Sequence, residues 1–103
     1  MNAVENQVRE LVGVELASAN KQFPQFHSPH EGWAVMLEEC KELEDEYRKI
    51  SSEMEEMLSS IRMNDNCDNE CARVILRHAV FAACESIQVA AMAQKYLDWS
   101  ERK

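Results

Sequence analysis

Four glutamates and a glutamine are the residues of this chain best suited to chemistry: Glu38, Glu39 and Glu42 in one short stretch, then Glu85 with Gln88 further on. Glu39 and Glu42 are three residues apart, as are Glu85 and Gln88, and side chains three apart in a helix project the same way. Two such pairs facing each other from separate helices would surround a cation with oxygens. Carboxylate, amide and water oxygens suit a hard divalent ion, magnesium first and manganese next. Such an ion could in turn hold the phosphates of a nucleotide. The plain alternative is that Glu38, Glu39 and Glu42 form a solvated face of mutually repelling charges, and that Glu85 pairs with Arg73 or Arg77.

The elements that must position these residues are helices. Two glycines and two prolines stand among many Ala, Leu, Met, Glu and Lys residues, a helical composition. At 103 residues the chain suits one domain. The expected architecture is all-α, a bundle of three to four helices completed by oligomerisation.

Taken in order, Val4, Val8, Leu11, Val12, Leu16 and Ala19 recur at helical spacing, with Asn2 and Glu5 placed as a capping box and Pro24 as a stop. The connection from Phe23 to Pro29 holds two aromatics and both prolines, so it reads as an ordered loop. Ser28 as N-cap, Pro29 at the first position and Glu31 three residues on start a second helix. In that helix Trp33, Met36, Leu37, Cys40, Leu43, Tyr47 and Ile50 share about a third of the circumference, the expected core face. Glu31, Val35, Glu38, Glu39, Glu42 and Glu46 fall on the other side. Ser51-Ser52 interrupts the pattern, and a short third helix over 52–63, separate from or continuous with the second, fits best. A polar loop over 64–69 precedes a last helix, capped by Asp68 or Asn69 and running to about Asp98.

Between Ala79 and Ala93 of that last helix only Glu85, Ser86 and Gln88 are polar. Apolar side chains lie all round its axis, as in a helix buried on several sides, and Ile75, Ala79, Ala82, Ala83, Ser86, Ala90, Ala93 and Leu97 form a stripe of mostly small residues. Glu85 on such a helix needs a cation, a hydrogen-bond partner or a raised pKa.

The net charge of −8 and the absence of a basic cluster argue against nucleic acid as a partner. No run of apolar residues reaches the length of a membrane span and the start lacks a signal-peptide pattern, so a cytoplasmic protein without a membrane partner is expected. The four cysteines read as free thiols, with Cys40 and Cys84 packing as small apolar groups. Cys67, Cys71 and His78 make at most a weak zinc pattern that lacks a fourth ligand. His27 and His30 read as surface or loop-packing residues, and Phe23, Phe26 and Trp33 as a lid on one end of the bundle. Arg73, Arg77 and Lys95 could meet phosphates, with nothing local to select among them.

These residues resemble a family. Glu38-Glu39-Cys40-Lys41-Glu42 matches the EExxE motif of the MazG-like all-α nucleoside triphosphate pyrophosphohydrolases, and Glu85-Ser86-Ile87-Gln88 lies where that family carries ExxD. The phrases FPQFHSPHEGWAVMLEE and ESIQVAAMAQKYL look like a branch met in phage and bacterial genomes, so the similarity spans roughly residues 20–98. The resemblance implies magnesium-dependent hydrolysis of a nucleoside, usually deoxynucleoside, triphosphate to the monophosphate and pyrophosphate, with manganese an alternative ion. It implies Glu39, Glu42 and Glu85 as metal ligands, Gln88 at the fourth ligand position, and Glu38 as the catalytic residue that positions water or as a further ligand. Gln88 stands in place of Asp, removing a negative charge. The family also implies a homodimer or homotetramer. The rival reading is a helical interaction module that keeps the fold without the chemistry.

Overall fold

A computed structural model describes residues 2–102, with side chains from position 3 onward. The described residues form a short 3-10 turn, Asn2–Val4, and three α-helices, α1 Glu5–Gln22, α2 Pro29–Met63 and α3 Asp68–Ser100, with no strand among them. The all-α class therefore holds, with three helices. α2 and α3 form a long antiparallel hairpin, and α1 folds back against α3 at the hairpin's open end. The molecule measures 60 × 28 × 22 Å.

Local chemistry explains most boundaries. Ser28 is extended and its Oγ accepts the Glu31 N–H at 3.1 Å, with Pro29 at the first position of α2. The Glu31 carboxylate turns to His27 Nδ1 at 3.2 Å instead of closing a capping box. At α1 the expected box does not form: the N-cap is Val4, without a side-chain cap, and the side chain of Asn2 lies outside the described residues. Ser51-Ser52 does not break the second helix, which is continuous through Met63. Two serines cost a helix only about half a kcal/mol each, less than interrupting the backbone hydrogen bonds of a helix packed along its length on α3.

The hairpin turn is shorter than expected, 64–67. Asn64 (φ 54°) and Asn66 (φ 64°) take the left-handed conformation that Asn tolerates well. Cys67, not Asp68 or Asn69, is the N-cap of α3 and offers no side-chain cap bond. Instead the buried Ser60 Oγ and Asp65 Oδ1 each accept the Cys67 N–H at 3.1 Å, while the Ser60 hydroxyl donates to Asp65. That hydroxyl, then the Cys67 N–H, holds the Asp65 carboxyl below its ordinary pKa.

The core is small and sits at the open end. Ala19, Phe26, Ala91 and Met92 are buried, with Val12, Leu16, Val35, Met36, Tyr96 and Trp99 packed on them. Phe26 meets Tyr96 and Trp99 at ring-centroid distances of 6.3 and 6.4 Å. Of the expected aromatic lid only Phe26 is inside; Phe23 and Trp33 are exposed. Gly32 lets α2 approach this cluster. A Cβ there would stand 2.5 Å from Tyr96 Cδ2 and 3.2 Å from Phe26 Cδ2. Gly32→Ala should therefore lose about 1–2 kcal/mol, because overpacking outweighs the helix-propensity gain. The melting temperature should fall by several degrees. An unchanged melting curve would mean that the Tyr96 ring simply swings away.

The largest departure from the sequence reading concerns which side of α2 faces α3. Trp33 and Tyr47, placed on the core face by periodicity, are 53% and 64% exposed, and Cys40 is exposed as well, with Cys84. The half-buried or buried side runs through Gly32, Val35, Glu39, Glu46, Ile50, Glu53, Met57 and Ser60. Of the expected core face, Met36, Leu37, Leu43 and Ile50 are half-buried and Trp33, Cys40 and Tyr47 are exposed, while on the acidic side Glu39 and Glu46 turn inward to hydrogen-bonding partners on α3 and Glu38 and Glu42 stay exposed. α3 likewise exposes Leu76, Val80, Phe81 and Leu97. Although no run of apolar residues reaches a membrane span, α3 is long and apolar enough by average composition to cross a membrane. Its most apolar 18-residue window has a mean hydropathy of 1.3, and 6% of that window is buried.

Candidate metal centre

The sequence expectation of two i, i+3 pairs facing each other is met halfway along the hairpin. Glu39 and Glu42 on α2 and Glu85 on α3 bring carboxylate oxygens within 4.8 Å of one another. Gln88 completes the group. In the amide orientation that satisfies both neighbours, its side-chain nitrogen donates to Glu39 Oε2 at 2.7 Å and Glu85 Oε2 at 3.1 Å. Gln88 thus ties one carboxylate on each helix together. Glu38 is exposed, one residue round the helix, and lines the adjoining cleft without joining the cluster.

Among the described residues no Lys, Arg or His pairs with Glu39, Glu42 or Glu85. The expected alternative partner Arg73 binds Glu70 at 3.1 Å instead. The electrostatic consequence is clear. Burial, then the hydrogen bond and charge of Glu42, then the charges of Glu39 and Glu46, push the Glu85 carboxyl up to about 7. Glu39 is raised as well, by burial first and Glu42 second. With no cation present, Glu85 therefore keeps its proton up to near neutrality.

Sequence reasoning missed the extension of this seam. His78 Nδ1 lies 2.7 Å from Glu46 Oε2, with both side chains 15% exposed. The His78 hydrogen bond, with Lys49 adding to it, lowers the Glu46 carboxyl. The signal was available in register: Glu46 is four residues after Glu42, and His78 is seven before Glu85, on the same faces. His78 joins no group of metal-ligating side chains with Cys67 or Cys71 among the described residues. Cys67 is exposed, Cys71 is buried with its thiol pushed up chiefly by burial, and neither joins a group of metal-ligating side chains among the described residues.

Beside the carboxylates a cleft of about 410 Å3 opens between the three helices. Its lining combines the carboxylates of Glu15, Glu31, Glu38 and Glu39, the Gln88 amide and Lys95 with apolar groups that include Phe23, Phe26 and Met92. A lining of carboxylates together with aromatic and apolar groups suits a ligand with a charged, metal-binding part and a flat or apolar part.

Comparison with protein-family models, with curated proteins and with solved structures finds no match for this chain.

Proposed function

We propose that this protein is a magnesium-dependent nucleoside triphosphate pyrophosphohydrolase, acting in the cytoplasm on deoxynucleoside triphosphates as a homodimer or homotetramer. The observation that carries the reading is the convergence of Glu39, Glu42 and Glu85 within 4.8 Å without a basic side chain among them. Oxygens around an octahedral magnesium ion, each about 2.1 Å from it, stand roughly 3–4 Å apart, so small side-chain movements would suffice. Manganese fits the same donors. The resemblance of these positions to the EExxE and ExxD segments of the MazG-like family, with Gln88 in place of Asp and the cleft beside them, supports the same activity.

In this reading Glu39, Glu42 and Glu85 hold the ion, and Gln88 orients Glu39 and Glu85 through its amide. Bound magnesium would neutralise phosphate charge and orient the anhydride toward attack. Glu38, at the cleft edge, positions a water molecule and accepts its proton as the water oxygen bonds to the α-phosphorus. The bond from that phosphorus to the bridging oxygen breaks, releasing pyrophosphate. The protein's contribution is positioning and electrostatics.

A second reading, a helical interaction module without catalysis, is favoured by the exposed apolar sides of α2 and α3. Thermal melting in EDTA, magnesium or manganese separates the two, followed by a pyrophosphate-release assay on a panel of deoxynucleoside triphosphates. The enzyme reading expects a saturable rise in melting temperature, since an ion that binds only the folded state stabilises it, together with release. A folded protein with neither response would leave the interaction module standing.

A further inference from the structure

We propose that Lys95 is the anion-binding group of the cleft and takes a phosphate oxygen of the polyphosphate whose metal-bound part meets the carboxylates. This inference rests on the nucleotide-binding reading above. Lys95 is 3% exposed. Among the described residues its ammonium makes no hydrogen bond and no ion pair, and it sits over the face of Phe26, whose ring centroid lies 5.2 Å from Nζ. Burying a cation is costly unless it is paired and hydrogen-bonded, and an aromatic face compensates only in part.

The ammonium is nonetheless not sealed in. No fully enclosed side-chain nitrogen or oxygen lacks a hydrogen-bond partner among the described residues. Nζ, which has none, must therefore keep an opening, and the space that Lys95 lines is the cleft. Four carboxylates, Glu15, Glu31, Glu38 and Glu39, border the same cleft. None lies within 4.0 Å of Nζ as an ion-pair partner. Among the described residues the cation is therefore without a direct ion-pair partner and borders open space in the cleft.

Register sets the distance. Gln88, Met92 and Lys95 lie on one stripe of α3, and seven residues correspond to about 10 Å along the axis. All three residues line the same cleft, with Glu39 at its border. A chain of phosphates held by a cation at Glu39, Glu42 and Glu85 is long enough to reach Lys95. Arg73 pairs with Glu70, and Arg77 does not line the cleft. Lys95 is thereby selected from the three basic residues that sequence alone left equivalent.

The test uses inorganic tripolyphosphate as probe. Wild type, Lys95→Met and Lys95→Arg are titrated by calorimetry in magnesium buffer, and each is melted with magnesium alone and with EDTA. Lys95→Met keeps the apolar stem and should weaken tripolyphosphate binding about 10-fold or more, the usual worth of a hydrogen bond to a charged group. Its melting response to magnesium alone should be unchanged. Lys95→Arg should stay within a few-fold of wild type. Equal binding by Lys95→Met and wild type, or no binding by wild type, overturns the proposal. If wild type shows no response to magnesium, the metal reading fails, and the titrations are repeated in EDTA at low salt. A loss confined to Lys95→Met then still supports the anion site, and no loss overturns it. Should Lys95→Met fail to fold, wild-type protein labelled with 15N-lysine replaces it, its ζ resonance assigned through Lys95→Arg. A saturable shift with tripolyphosphate supports the role and an unmoved resonance overturns it.

Discussion

Glu42→Gln should abolish pyrophosphate release and flatten the magnesium-dependent rise in melting temperature, while the metal-free variant melts a few degrees higher than wild type. Loss of a residue that merely orients a metal ligand commonly costs 10–100-fold, so loss of a ligand should lower turnover at least about 100-fold. The opposite sign on metal-free stability follows from the cluster's repulsion. Glu42 is the residue that, after burial, does most to raise both Glu39 and Glu85. Removing its charge should return about 0.5–1 kcal/mol, or about 2–6 °C for a domain of this size. A variant that loses activity by unfolding would melt lower, so the two causes are separable in one experiment. Full activity in Glu42→Gln would sink the metal-centre reading.

The pH dependence has a matching sign. Glu85 is raised from 4.5 to about 7 in the folded state, so between those values the folded form holds a proton that the unfolded form has lost. Its contribution to metal-free stability is therefore fully present below about pH 4.5 and declines as pH rises through about 7. Asp65 and Glu46 are lowered and act in the other direction, withdrawing stability as the solution becomes acid. Metal-free protein should be most stable in mildly acid solution. A cation must displace the Glu85 proton, so magnesium affinity should climb through pH 7 with proton release, and Glu42→Gln should shrink both slopes without erasing them, because burial of Glu85 remains.

Sequence could bring together the carboxylates of the candidate site because their signals are local. Glu39 with Glu42, and Glu85 with Gln88, need only the geometry of one turn of helix each, and Ser28-Pro29 fixes where α2 starts. It could not orient α2, which is amphipathic on two counts. Trp33, Cys40, Tyr47, Met54 and Ile61 mark one side; Glu39, Glu42 and Glu46 mark the other. Periodicity identifies the first as the side to bury, but not what buries it. Within one copy the inward side is chosen by Gln88 and His78, which hydrogen-bond to Glu39 and Glu46 from α3. Those bonds join residues 32 to 49 positions apart, so no local pattern records them. The choice of Lys95 over Arg73 and Arg77 was illegible for a related reason. The isolation of that lysine depends on Phe26, 69 residues earlier, and on four carboxylates that all fall short of it.

Leu76→Asp should convert an oligomer into monomers and lower its melting temperature, although the residue is 66% exposed in one copy. On α2 the outward residues Trp33, Cys40, Tyr47, Met54 and Ile61 recur every seven residues, and on α3 Leu76, Ala83, Ala90 and Leu97 do the same. That interval is the one by which helices pack along a shared seam. The exposed surface of one copy is 7645 Å2, about 1,700 Å2 more than a compact monomer of this mass presents. An excess of that size on each partner suits an obligate interface. If Leu76 faced water in solution, an Asp there would change stability by less than about 0.5 kcal/mol. Buried between copies, an unpaired carboxylate costs several kcal/mol, enough to shift a micromolar dimer wholly to monomer. Light scattering on the two proteins across a concentration series decides it. A monomeric wild type whose melting curve is matched by Leu76→Asp would mean that no second copy covers the seam. A dimer or tetramer lost on substitution would make the seam part of the fold, and its loss should also weaken the cleft, because α3 carries both Leu76 on one side and Glu85, Gln88 and Lys95 on the other.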